Sequence, residues 1–269
     1  MTDHDRADTL HELATAIREA DRVSVLTGAG LSAASGIPTF RGDDGIWGDA
    51  FEEADFHVSR FRRDPSGFWA DRAELAERMR PPGGASPNAA HHALAALSEA
   101  GVLDAVITQN TDGLHAAAGM AEVIELHGTN ARVECAQCGD TAAAEPVHER
   151  VRGGECPPTC DCGGVYKPAV VLFGEPLPAE PHRRARQLTT VSDVFLVAGS
   201  SLTVDPAASL PCLVNDGELA VVNFEPTRYA DAADYTFRAD VTDLLPSLAV
   251  RVLGEDVDAV TLKKFAEWV

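Results

Sequence analysis

Lysine is almost missing from this chain. Of 269 residues only Lys167, Lys263 and Lys264 are lysines, whereas Asp and Glu number 42 and the formal net charge is −20. That deficit argues against direct nucleic-acid binding, which needs clustered cations, and makes basic proteins the expected partners. The acid is spread along the chain and forms no tail, so it does not read as a steering patch for one substrate. It suits a concentrated-salt interior instead, where screening shortens the reach of self-repulsion. No apolar run reaches the length of a membrane-spanning helix, and the polar start Met1-Thr2-Asp3-His4-Asp5-Arg6 has no signal-peptide core. A soluble, cytoplasmic protein without membrane contact is expected.

Cysteine is rare outside one segment: five of the six lie between positions 135 and 162. In a chain with no secretion signal, such clustering points to a metal rather than to disulfides. Cys135-Ala136-Gln137-Cys138-Gly139 is one half of a zinc knuckle. The second half, Cys156-Pro157-Pro158-Thr159-Cys160-Asp161-Cys162-Gly163-Gly164, offers three thiols for two positions, and the glycine after Cys162 makes that residue the safest ligand. Four thiolates close a tetrahedral shell, and no His or Glu stands at ligand spacing, so one structural zinc is expected.

What is present is an alternation of apolar runs and helical patterns, with 45% apolar residues, enough for one large domain and a smaller insert. Apolar positions recur at helical spacing over 9–21, 64–79 and 86–100, buried strands are expected at 23–27, 103–108, 123–126, 169–176, 194–198, 219–222 and 236–237, and 243–253 closes the domain. The architecture expected is a doubly wound, Rossmann-like parallel α/β sheet. Its segments are 1–40, 85–129 and 168–269, with a cofactor loop and helical module at 41–84 and a zinc-binding module at 130–167.

In such sheets ligands bind beyond the carboxyl ends of the strands, and here those ends are polar or glycine-rich. Val23 to Thr27 runs into Gly28-Ala29-Gly30-Leu31-Ser32, which either cradles a phosphate or makes a tight strand-to-helix turn. The loop Thr39-Phe40-Arg41-Gly42-Asp43-Asp44-Gly45-Ile46-Trp47 either covers a nucleotide or anchors itself by its aromatic rings. Gln109-Asn110-Thr111-Asp112-Gly113-Leu114-His115 follows another strand, then Leu126-His127-Gly128, Gly199-Ser200-Ser201-Leu202 and Asn223-Phe224-Glu225-Pro226-Thr227. Five strand ends with groups suited to sugar or phosphate carry more weight than any one of them.

These blocks, together with Pro38-Thr39-Phe40-Arg41 and Phe173-Gly174-Glu175, resemble the sirtuins, NAD-dependent protein-lysine deacylases. The resemblance covers most of the chain, in order. It implies that Gly28, Ala29, Gly30 and Ser32 hold the NAD pyrophosphate, with Phe40, Arg41 and Trp47 in the mobile loop. Gln109, Asn110 and Asp112 would hold the nicotinamide ribose and carboxamide, Gly199, Ser200 and Ser201 phosphate or ribose, and Asn223, Phe224, Glu225 and Val241 the adenosine end. His127 would be the general base, with Asn110 beside it in catalysis, and Val171, Phe173 and Gly174 would line the acyl-lysine channel. The implied reaction removes acetyl groups from lysine and yields nicotinamide and O-acetyl-ADP-ribose. Removal of succinyl or malonyl groups, mono-ADP-ribosylation and a non-catalytic NAD-binding or interaction module are the alternatives.

Three features depart from the family pattern. Thr111 stands where Ile or Val is usual. The alignment favours Cys160 with Cys162, beside Cys135 and Cys138, and leaves Cys156 spare. Trp69 and Arg72 match the Tyr-x-x-Arg of members that prefer acidic acyl groups, and only the Arg is kept.

Overall fold

The computed structural model describes residues 3–39, 46 and 51–254. Helix α1 (Asp3–Glu19) leads into strand β1 (Val23–Thr27), followed by two 3-10 turns, Ala29–Leu31 and Ala33–Ser35. After a further 3-10 turn, Glu53–Phe56, come α2 (Val58–Arg63), α3 (Pro65–Arg78), α4 (Ala89–Glu99), β2 (Ala105–Thr108), α5 (Leu114–Ala117) and β3 (Val123–Glu125). Strands β4 (Gly128–Cys135) and β5 (Thr141–Ala143), helix α6 (Ala144–Arg152) and β6 (Tyr166–Val170) follow. The chain closes with α7 (Ala179–Val191), β7 (Val194–Ala198), a 3-10 segment Ala207–Leu213, β8 (Glu218–Asn223), β9 (Tyr235–Arg238) and α8 (Val241–Leu253).

The large sheet is six-stranded, ordered β3-β2-β1-β7-β8-β9, with every pairing parallel. All five residues of β1 and of β7 are buried, as strands covered on both faces must be. Alternate residues feed two cores. Val25 and Leu196 join Leu13, Ile17, Leu94 and Leu248 on one side, while Leu26 and Val197 join Ile107, Leu188 and Leu210 on the other. The doubly wound sheet expected from the alternation is therefore present.

The smaller unit is a three-stranded antiparallel sheet, β5-β4-β6, packed against α2, α3 and α6. Its core joins Phe56, Phe61, Phe68 and Trp69 to Val133, Val147 and Tyr166, so the helical and cysteine-bearing segments share one interior. Polar side chains start two of its helices, His57 accepting from Ser59 N at α2 and Asp64 from Gly67 N at 2.9 Å at α3, with Pro65 in the first turn of α3.

Element boundaries differ from the expectations where polar residues carry a helix or a proline enters a strand. Helix α1 begins at Asp3, six residues ahead of the apolar stripe that announced it. The strand expected at 169–176 is Tyr166–Val170, with Pro168 tolerated because β6 lies at the edge of its sheet. Among the described residues no helix is long and apolar enough to cross a membrane.

With 42 acidic against 22 basic side chains, self-repulsion opposes the folded state. Raising KCl from about 0.1 M to about 2 M, which cuts the screening length from roughly 10 Å to below 3 Å, is expected to raise the thermal midpoint by several degrees or more. A midpoint that stays flat or falls across that series would contradict this reading of the charge.

Candidate active site at the reversal of strand order

The chain leaves β1 towards β2 and β3 on one side and returns to β7, β8 and β9 on the other, so the strand-end loops diverge between β1 and β7. There the two loops touch backbone to backbone. Gly30 N donates to Gly199 O at 2.9 Å, and a Cβ on Gly28 or Gly30 would lie 2.9 Å from that same oxygen. Gly199 holds φ +64, a left-handed conformation that glycine adopts without cost. These glycines thus have a reason within the protein, the tight approach of two loops, besides any phosphate. The helix start expected after them is replaced by the two 3-10 turns.

Polar side chains converge on this point from three strand ends. Asn110, almost buried, donates through Nδ2 to Gly28 O at 3.0 Å and to Ser32 Oγ at 3.1 Å. Ser32 Oγ donates in turn to Asp112 Oδ2 at 2.7 Å, and the other Asp112 oxygen accepts from Leu114 N at 2.9 Å. Gln109 reaches across the end of β1 to Ser200 Oγ at 2.7 Å. Asn110, Ser32 and Asp112 are therefore one hydrogen-bonded set, with the Gln109–Ser200 pair beside it. Ala29 sits in the first 3-10 turn beside it.

His127 follows β3 at the same edge of the sheet. Its Nδ1 lies 3.0 Å from Gln109 O. A carbonyl can only accept, so Nδ1 carries the proton and Nε2 keeps a free lone pair. Burial lowers the pKa of this imidazole below its ordinary value, and the bond to Gln109 offsets part of that shift. The group is a neutral, oriented base at neutral pH.

Val171 N donates to His127 O at 2.9 Å, and the chain from Val171 to Gly174 runs on to α2, where Val58 N donates to Phe173 O at 2.9 Å. Val171 and Phe173 are half-buried, Leu172 between them is buried, and Gly174 is exposed. Gly174 holds φ +83, and any Cβ there would collide with the His57 ring. Lys167 Nζ meets Val170 O and Glu175 Oε2, each at 2.9 Å, and Glu175 also accepts from Leu172 N. This brace was not anticipated. Its signal was faint: the lone lysine between positions 1 and 262, eight residues from a glutamate.

At the far end of the cleft Ser201 bonds Thr203 at 3.1 Å, Asn223 donates to Glu225 O at 2.8 Å, Phe224 is 75% exposed, and Val241 is buried where α8 leaves β9. Phe40, Arg41 and Trp47 lie outside the described residues. Trp69 is a correction: it is wholly buried, its indole donating to Tyr166 O at 2.8 Å, so it builds the interior of the smaller unit and offers no surface to a substrate. Arg72 is buried too and bonds Asn130 Oδ1 at 2.6 Å.

Four sulfurs converge at the open end of β4. Those of Cys135, Cys138, Cys160 and Cys162 lie within 4.8 Å of one another, with Cys135–Cys162 at 3.5 Å and Cys138–Cys160 at 3.8 Å. Tetrahedral Zn–S bonds of about 2.3 Å would separate sulfurs by roughly 3.8 Å, so the quartet fits one zinc with no open position. Cys156 stands apart and donates its thiol proton to Ser66 O at 3.1 Å.

Beneath the cleft, Thr27 donates to Thr108 Oγ1 at 2.9 Å, so His115 Nε2, also 2.9 Å from the Thr27 hydroxyl, is the donor to it. The His91 and His115 rings lie 4.9 Å apart, and His91 Nε2 and His115 Nδ1 are buried without partners among the described residues. Burial first, then neighbouring histidines, brings the His91 pKa down to about 3, and burial brings His115 to about 4. The unfolded chain takes up these protons near pH 6.5 and the folded chain does not, so both groups contribute stability that is complete above pH 6.5 and lost below it. Stability is expected to fall by about 1.4 kcal/mol per pH unit for each histidine between pH 6.5 and about 4. Denaturant titrations at stepped pH test this, and an unchanged acid slope in His115→Gln would refute it.

A doubly wound parallel sheet with this polar cleft and a four-cysteine metal knuckle defines a nucleotide-binding α/β protein. Residues 28–206 match the Sir2 family model, and the chain belongs to that family. It is 52% identical to an NAD-dependent protein deacetylase of Haloarcula marismortui over 248 residues, 91% of this chain and 95% of that protein. A solved Sir2 homologue–NAD complex superimposes with a TM-score of 0.79 at 39% identity, covering 90% of this chain and 93% of the other. A Sir2 structure with a deacetylated p53 peptide and 3′-O-acetyl ADP-ribose gives 0.81 at 36% identity, covering 92% and 98%.

Proposed function

We propose that this protein removes acetyl groups from lysine side chains of proteins at the expense of NAD, releasing nicotinamide, O-acetyl-ADP-ribose and free lysine. The observation that carries the reading is the His127–Gln109 bond, which leaves a neutral imidazole with Nε2 open at the cleft. The relatives named as NAD-dependent deacetylases, and the Sir2 structures with NAD or an acetyl-ADP-ribose product, support it.

Bound NAD supplies an activated glycosidic bond whose ribose receives the acyl group. The chain's own residues do the rest. Gly28 to Ser32, Gly199 to Ser201, and Asn223 to Glu225 with Val241 hold the phosphates and the adenosine end. Gln109, Asn110 and Asp112, already locked to Ser32 and Ser200, orient the nicotinamide ribose. His127 Nε2 takes a proton from a ribose hydroxyl, within the pH range its lowered pKa keeps it neutral. Val171 to Gly174 offers an extended backbone to a substrate peptide, which an acidic surface would prefer basic. A reducing cytoplasm, where thiolates persist as metal ligands, belongs to the same proposal.

Acetyl is favoured over acidic acyl groups because Trp69 is buried and the Arg72 guanidinium is already held by Asn130. Acetylated and succinylated versions of one peptide, incubated with labelled NAD, test the reading. O-acetyl-ADP-ribose from the first peptide alone supports it, and label left on protein would favour ADP-ribosylation.

A further inference from the structure

Thr111, which the resemblance places where Ile or Val is usual, does not stand alone. Its Oγ1 lies 2.8 Å from Asn130 Nδ2, and its carbonyl accepts from Asn130 N at 2.9 Å. The Asn130 Oδ1 in turn lies 2.6 Å from Arg72 on α3. The protons in this chain have only one arrangement. A guanidinium donates and never accepts, so Asn130 presents its oxygen to Arg72 and its amide nitrogen to Thr111. Thr111 Oγ1 is thereby an acceptor, and its own hydroxyl proton has no acceptor among the described residues. Arg72 is only 7% exposed and meets no carboxylate among the described residues. A buried cation of this kind polarises the amide it holds and strengthens the donor at the end of the chain.

We propose that Arg72, Asn130 and Thr111 form a positioning relay for the nicotinamide end of NAD. The guanidinium fixes Asn130, Asn130 fixes Thr111, and the Thr111 hydroxyl donates to a carboxamide oxygen beside Asn110 and Asp112. The relay also ties α3 and β4 of the smaller unit to the loop after β2. Movement of that unit would then alter how tightly nicotinamide is held. This inference rests on the NAD reading above, and its consequence is specific to cofactor affinity.

The experiment uses the full chain in high salt and measures NAD and nicotinamide affinity by calorimetry, beside kcat and KM with an acetyl-lysine peptide. Thr111→Val is expected to weaken NAD and nicotinamide by a common factor of about 5–10, the worth of one hydrogen bond, while peptide KM stays unchanged. Thr111→Ser keeps the hydroxyl and is expected to restore wild-type affinity. Asn130→Leu should match Thr111→Val, with the double variant no worse than either. Equal affinity of wild type and Thr111→Val, a Thr111→Ser variant as weak as Thr111→Val, or additive losses in the double variant would each overturn the relay. A wild type that binds NAD and deacetylates while Thr111→Val is unaltered removes the relay alone. A wild type that binds no NAD removes both the relay and the functional reading.

Discussion

His127→Ala is expected to lower deacetylation by about a thousandfold, the usual worth of a positioned general base, while NAD affinity changes by less than about threefold. The imidazole is bonded through Nδ1 to the Gln109 backbone carbonyl, and the side chains of Gln109 and Asn110 keep their own partners without it. The side-chain bonds of Gln109 to Ser200 and of Asn110 to Gly28 and Ser32 therefore do not depend on this ring. In the wild type, kcat is expected to stay level from neutral pH down to the ordinary imidazole value of 6.5 and to decline only below it, because burial moves the His127 pKa downward. The sign follows from the role: the base must be unprotonated, and a lowered pKa extends its working range towards acid. Turnover retained in His127→Ala, or an acid limb centred well above pH 7, would end the assignment.

The parallel sheet was legible because its strands are short apolar runs separated by helical stripes, and because each run ends in glycine, amide or hydroxyl residues. Spacing made Cys135, Cys138 and Cys162 legible as metal ligands, while the choice of Cys160 over Cys156 came from the family resemblance and agrees with the sulfur quartet. Other features were not, for a physical reason. Helix α7 buries only Ala185, Leu188 and Thr189, too narrow a stripe to announce itself. The common interior of the helical and cysteine segments is built from Phe68 and Tyr166, close to a hundred residues apart, and no local period encodes such a contact. The same holds for Arg72, Asn130 and Thr111, separated by 58 and 19 positions. Trp69 was misplaced because position in a helix was matched to a motif without knowing which face the helix buries. His91 and His115 pack ring against ring, and their orphaned ring nitrogens appear only in three dimensions.

Removing zinc is expected to melt the smaller unit while the parallel sheet survives. The four sulfurs join the end of β4 to the loop before β6, and β4–β6 is the pairing on which the small sheet depends. Zinc-finger peptides gain about 10–16 kcal/mol from the metal and are unfolded without it. Here Phe56, Phe61, Phe68 and Trp69 give the unit a hydrophobic core of its own, so the loss should be a loosened sheet over a collapsed interior rather than a random chain. The effect reaches the active site by a short path. Gly128 opens β4 next to His127, and Val171, just past β6, holds the His127 carbonyl. Chelation is therefore expected to abolish peptide turnover before NAD binding is lost. Hydrogen exchange should quicken in β4 to β6 and stay slow in β1 and β7. Cys135→Ala should reproduce the chelated state, whereas Cys156→Ala, whose thiol only meets Ser66 O, should retain one zinc per chain. Unchanged exchange in β4 to β6 after complete zinc removal would show that the thiols do not hold the unit together.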